Sequence, residues 1–369
     1  MLSRRQCLLI PALMACRRRR ASAFPGYALV ALPEARAVAA VDLRSFSLAR
    51  HIPLPASPTL LLSHPSRPLA WVLAPEAGLL CELDLAHLRV ARQLQIARSA
   101  LSMRLTAGSD ALWILCREPS QLVGVSLDRF QRFVQISLPS SDPLDFDLSR
   151  YTPWAAVSFA STGAVSFVDL EARRSLPPVH FGRRAATVRF RSDGRLLLVG
   201  NADQPALTFL EAPSGAVVVH LPLAILPRNF CFKADGGQLF LTGPGSDVVV
   251  IVYPYRTEVA ETILAGRAPA AMAVSTQPEF LFVASPETGD VNIVEIETRH
   301  VVAAATVGAG VQALAVTPDN QFALALNERA GALAVIRIPT TVRRRLRLAP
   351  LFTVVAVGPR PASLAIARL

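Results

Sequence analysis

With 369 residues, 52% of them hydrophobic and 18% charged, the chain carries enough apolar surface for a large core, which excludes a disordered chain. A net charge of +11 suggests a polyanionic partner until the charges are located. Arg4, Arg5 and Arg17 to Arg20, with Arg343, Arg344, Arg345 and Arg347, hold nearly all of the excess, so the body is close to neutral and lacks the broad basic face that nucleic acid requires.

Residues 1–16, "MLSRRQCLLIPALMAC", have a basic start and a short apolar run from Cys7 to Met14, the arrangement of an export signal and too short to span a membrane as a helix. Leu13-Met14-Ala15-Cys16 resembles the bacterial lipobox, and Ser3-Arg4-Arg5-Gln6-Cys7-Leu8 resembles a twin-arginine signal. The expectation is an exported protein, periplasmic or in the cell envelope, with a lipid on Cys16 as its membrane anchor. The alternative is a cytoplasmic protein whose true start lies further on. Residues 17–26 read as a linker, and 27–369 as a single domain.

From residue 27 onward the chain repeats. The residues just before successive short turns, Ser63, Thr106, Ser149, Arg191, Lys233, Ser275 and Thr317, are about 42 residues apart, and Ala367 follows after a longer interval. After each turn comes an apolar run, from "LAWVLA" (69–74) through "LLLVGN" (196–201) to "FALALN" (322–327), then a polar turn. A second apolar run follows, ending near an acidic residue (Asp42, Asp84, Asp128, Asp169, Glu211, Glu295), and a further run closes the unit. Four short strands joined by turns, repeated at this period, are the blade of a β-propeller. The expected fold is therefore all-β.

One unit is split: residues 27–54 hold its second to fourth strands and 360–369 its first. Pairing them closes the ring without exposed edges. Seven complete units and this composite predict eight blades, with seven as the alternative.

The matches "VGPRP", "TPDNQ", "RSDGR", "LLLVGN" and "VSFVDL" resemble the unit of the bacterial YVTN-repeat, or YncE-like, β-propellers, and the resemblance covers nearly the whole chain after residue 26. Such motifs are turns and core positions, so they imply fold and leave function open.

The stretch "VGAGVQALAVTPDNQ" (307–321) contains G-x-G-x-x-A, the shape of a dinucleotide loop, but a turn arrives too soon after Gly310 for the helix that motif needs. Its glycines fall instead where one blade hands over to the next. The six histidines have no metal-ligand spacing, and no G-x-S-x-G occurs. Cys81, Cys116 and Cys231 are widely spaced and read as buried thiols. The acidic column reads as structural, and Trp71, Trp113 and Trp154 as filling between blades. The segment "RRRLR" (343–347) reads as a solvated insertion.

On the connectors that lead into first strands stand Arg98, Arg183, Arg184, Arg267 and Arg360, which would gather guanidinium groups at one rim of the channel and favour a carboxylate or phosphate. The leading expectation is a monomeric, non-catalytic scaffold without cofactor or metal, whose partner is a protein or a small anionic ligand. Catalysis stays open, and the alternative is a hydrolase resembling the propeller lactonases, acting at the channel mouth.

Overall fold

The computed structural model describes residues 24–338 and 351–369. Export signal, Cys16 and the arginine-rich segment at 343–347 lie outside the described residues. Among the described residues are eight four-stranded antiparallel sheets, seven of them running in chain order from an inner first strand to an outer fourth. Blade 1 is the composite: Gly26–Leu32, Ala37–Asp42 and Ser47–Pro53 are completed on the inside by Ser363–Arg368, which pairs with Gly26–Leu32 from Gly26 opposite Arg368 to Ala31 opposite Ser363. Blades 2 to 8 begin at Leu60, Ser99, Pro143, Ala185, Asn229, Met272 and Val311.

Burial along one blade explains the sequence pattern. Second and third strands are sandwiched between neighbouring blades on both faces, so they read as continuous apolar runs such as Phe280–Ser285, buried throughout. Fourth strands face water on one side and alternate, as in Arg89–Gln95. The core is accordingly eight apolar clusters rather than one centre, each filling the gap between two adjacent blades. One of these joins blade 8 to blade 1 through Phe322, Leu324, Phe46 and Val30, which makes the ring continuous. Trp71 of blade 2 packs among Leu112 and Ile114 of blade 3, and Trp113 of blade 3 among Phe146 and Val157 of blade 4, the interblade filling expected of them.

The acidic column is built into turns. Asp42 accepts Arg44 and Ser45 N–H, Asp84 accepts Ala86 and His87 N–H, and Asp169 accepts Glu171 and Ala172 N–H. Each turn then closes through a residue of positive φ, as at Phe46, Leu88 and Arg173. Asp128 departs from this column: its third strand ends at Ser126, and Asp128 stands free of that turn role, 3.8 Å from Arg67.

The blade joint at 307–311 fits its glycines. Gly308 and Gly310 have φ of 89° and 99°, a region open to glycine. Asn327, buried at the end of its second strand, donates to the carbonyls of Val307 and Gly308 at 3.0 and 2.8 Å. The first strand of blade 8 begins at Val311, directly after the second glycine.

Candidate functional site

The first strands of blades 3, 4 and 5 carry charge in their interiors, whereas blade 1 has only Arg368 at its strand end: Ser99–Leu105 ends Met-Arg-Leu, Pro143–Leu148 reads Pro-Leu-Asp-Phe-Asp-Leu, and Ala185–Phe190 ends Val-Arg-Phe. Strand alternation puts Asp145 and Asp147 on one side of their strand and Phe146, fully buried, on the other. Arg189 of blade 5 donates to Asp145 at 2.6 Å, and Arg104 of blade 3 lies 3.5 Å from Asp145 and 3.7 Å from Asp147. The carboxylates also accept backbone donors of the next blade, Val188 N–H at 3.1 Å and Phe190 N–H at 2.8 Å. Three inner strands that share no ladder are thereby joined by side chains.

Burial shapes the electrostatics of this quartet. It pushes the Asp147 carboxyl above its ordinary range, although Arg189, Arg104 and the N–H groups of Phe190 and Leu148 pull the other way. Burial also lowers the proton affinity of Arg104, with Arg189 adding to the effect.

Beside the quartet opens a cavity of about 350 Å³ at the end of the channel where first strands turn into second strands. Its lining includes Arg104, Asp147 and Arg189 from the first strands, Leu105, Leu148, Phe190 and Phe232 beside them, and the turn residues Arg150, Arg191, Ser192 and Lys233. Five cations and one carboxylate thus face the space, while Asp145, Asp193, Asp235 and Glu279 stand outside the lining and hold cations in place. Arg191 is held by Asp193 at 2.7 Å and stacks 4.7 Å from the Tyr255 ring. Lys233, the sole lysine of the chain, sits 3.0 Å from Asp235 and 3.1 Å from Glu279, and hydrogen bonds to both raise its proton affinity. Donors remain for a ligand: among the described residues Arg189 uses only Nη1 on protein acceptors, and the exposed Arg150 has no partner. Cations fixed by carboxylates behind them favour an anion, because their orientation is settled before it arrives.

The arginines expected at the rim lie at the opposite end of the channel, on the connectors into first strands. Arg184 donates to the Ala160 carbonyl at 2.7 Å, Arg267 lies 3.9 Å from Glu287, and Arg360 is 3.1 Å from Glu34. Arg98 is exposed and Arg183 half-buried. Among the described residues no hydrogen bond or ion pair joins any two of the five. The cavity was missed in the sequence because its cations belong to blades adjacent in space and some 40 residues apart in the chain. A signal did exist: "LDFDL" and "VRFR" place charge in strands whose counterparts elsewhere are apolar or small. Among the described residues no group of His, Cys, Asp and Glu could hold a metal ion.

No protein-family model matches the chain. None of the curated proteins matches it either. Solved structures do. The dihydro-heme d1 dehydrogenase NirN, in complex with DHE, superposes with a TM-score of 0.74 at 14% identity, covering 94% of this chain and 76% of that one. Hydrazine synthase of Kuenenia stuttgartiensis gives 0.59 at 16%, covering 77% and 96%. The β-propeller domain of Cps50 (Swd1) from Myceliophteria thermophila gives 0.63 at 12%, covering 76% and 96%. At these identities the likeness is one of fold alone: the chain is an all-β, eight-bladed β-propeller.

Proposed function

We propose that this protein is a non-catalytic binding propeller that holds a small anionic ligand in the cavity at the turn end of its channel. The observation that carries the reading is the lining itself: five cations, four of them already oriented by protein acceptors, around a space at the small end of ligand-pocket sizes. The test is calorimetric titration with small anions at low salt. Saturable binding that weakens about 10-fold or more when Ala234, an exposed lining residue, becomes glutamate supports it. Absence of binding by carboxylates and phosphate alike would overturn it.

The proposal extends to address and lineage. We place the protein in the cell envelope, exported and lipid-anchored through Cys16, on the strength of the basic start, apolar run and Leu-Met-Ala-Cys of residues 1–16. Labelled palmitate should enter the wild type and not Cys16→Ser; equal labelling of both contradicts the anchor. The turn and core motifs favour descent with the YncE-like propellers.

One observation favours a second ligand at the other rim. His180 is exposed, has no side-chain hydrogen-bond partner among the described residues, and precedes Arg183 and Arg184 on one connector. An imidazole that could ligate iron beside guanidinium groups that could receive carboxylates suits a haem-type macrocycle, the ligand class named for NirN. An absorbance titration with haem should then show a shifted band that His180→Ala abolishes; a spectrum equal to that of free haem would remove the reading.

A further inference from the structure

One carboxylate stands among the cations that line the cavity, and its chemistry selects the anion. Arg104, Arg150, Arg189, Arg191 and Lys233 come from four successive blades, and each side chain can only donate. Any oxyanion satisfies them. Asp147, when ionised, can only accept, so an anion with nothing but acceptors meets it as like charge against like. An anion that still carries a proton meets it as a donor. We propose that the ligand is inorganic phosphate, its O–H donating to Asp147 and its other oxygens on the cations, and that Asp147 selects it over sulfate. The inference rests on the anion-binding reading above.

The geometry leaves room for that bond. Asp147 Oδ2 accepts Phe190 N–H at 2.8 Å, while Oδ1 has Arg104 Nε at 3.7 Å, beyond hydrogen-bond range. The Asp147 side chain keeps 18% of its surface exposed, so a small ligand can reach it. Asp145, the other carboxylate of the strand, is outside the lining and already accepts Arg189 at 2.6 Å and Val188 N–H at 3.1 Å. Among the described residues Arg189 spends only Nη1 on protein acceptors, which leaves Nε and Nη2 as a two-donor fork for the oxyanion. Burial pushes the Asp147 carboxyl above its ordinary range, against the pull of Arg189 and Arg104. Once protonated it can donate, and the discrimination should fade. The rest of the charged lining is arginine and one lysine, residue types that stay charged to pH 8.5, so acidification acts on the lining through Asp147.

Sulfate is the comparison that isolates the proton, since at pH 8.5 both ions are tetrahedral dianions and only phosphate has an O–H. Acetate has no donor, and a phosphate monoester loses its second proton at about pH 6, so both should fall with sulfate. The experiment is calorimetric titration of the purified full chain at low ionic strength with phosphate, sulfate, methyl phosphate and acetate, at pH 5 and pH 8.5. At pH 8.5 phosphate is expected to bind at least about tenfold tighter than the other three. Sulfate should gain affinity at pH 5. In Asp147→Asn it should match phosphate within about twofold at pH 8.5, because the amide is uncharged and can donate. Sulfate, methyl phosphate or acetate binding the wild type as tightly as phosphate at pH 8.5, or an unchanged preference in Asp147→Asn, would overturn the phosphate assignment and leave the anion site standing. No binding by any of the four would bring down both.

Discussion

Asp147 shows how a residue can be costly and useful at once. Its folded-state pKa is raised, so its stabilising contribution is present below the ordinary aspartate value and lost as pH rises through the folded value. When ionised, it leans on Arg104 and Arg189. Asp147→Asn keeps an acceptor for Phe190 N–H and removes the charge, so its melting temperature should exceed the wild type's more at pH 7.5 than at pH 4. An unchanged difference across that range would show that the group is not buried as described. The three thiols follow similar logic with the opposite use: burial pushes Cys81 up to about 11 and Cys116 and Cys231 up to about 12. In the folded protein at pH 8 none of the three should react readily with a thiol reagent, whereas all should after unfolding, as peptide mapping would report.

Within the blade, much was legible because period and turn chemistry are local. The acidic column and the glycines of 307–311 were readable as structure, since a carboxylate after a strand and two glycines before one have few other uses. What sequence hid were pairs between strands. Glu82, buried at 3% exposure, is bound by Trp71 Nε1 and by both Nε and Nη2 of Arg92, and Arg92 also reaches the carbonyls of Leu127 and Asp128 in blade 3. Nothing in the spacing of Trp71, Glu82 and Arg92 announces that contact, because register decides it. Arg92→Ala strands a buried carboxylate and should cost about 3–5 kcal/mol of stability. Arg92→Ala with Glu82→Gln should recover a large part of that in chemical denaturation. The Asn327 side chain was visible only as the end of an apolar run, yet it binds the joint. Asn327→Ala should cost about 1–3 kcal/mol by leaving buried carbonyls of Val307 and Gly308 without their donor.

At the scale of the ring, eight interblade clusters replace a single core, and the last strand of the chain completes the first blade. Removing residues 360–369 should therefore lower the melting temperature of the whole domain rather than fray one end. It strips the inner strand from blade 1, and with it Leu364 and Ile366 from the cluster shared with blade 8. The same closure was legible from the split repeat. The cavity was not, because it exists only where the turn ends of blades 3 to 6 meet. Both ends of the channel carry arginine, and they make opposite predictions. The decisive measurement is the dissociation constant of a small anion, by titration, for two variants of the full chain. Binding in the cavity predicts that the triple rim variant Arg98→Ala, Arg184→Ala and Arg267→Ala binds within about twofold of the wild type, while Ala234→Glu loses about tenfold or more. Full affinity in Ala234→Glu with loss in the rim variant would contradict the cavity as the functional site.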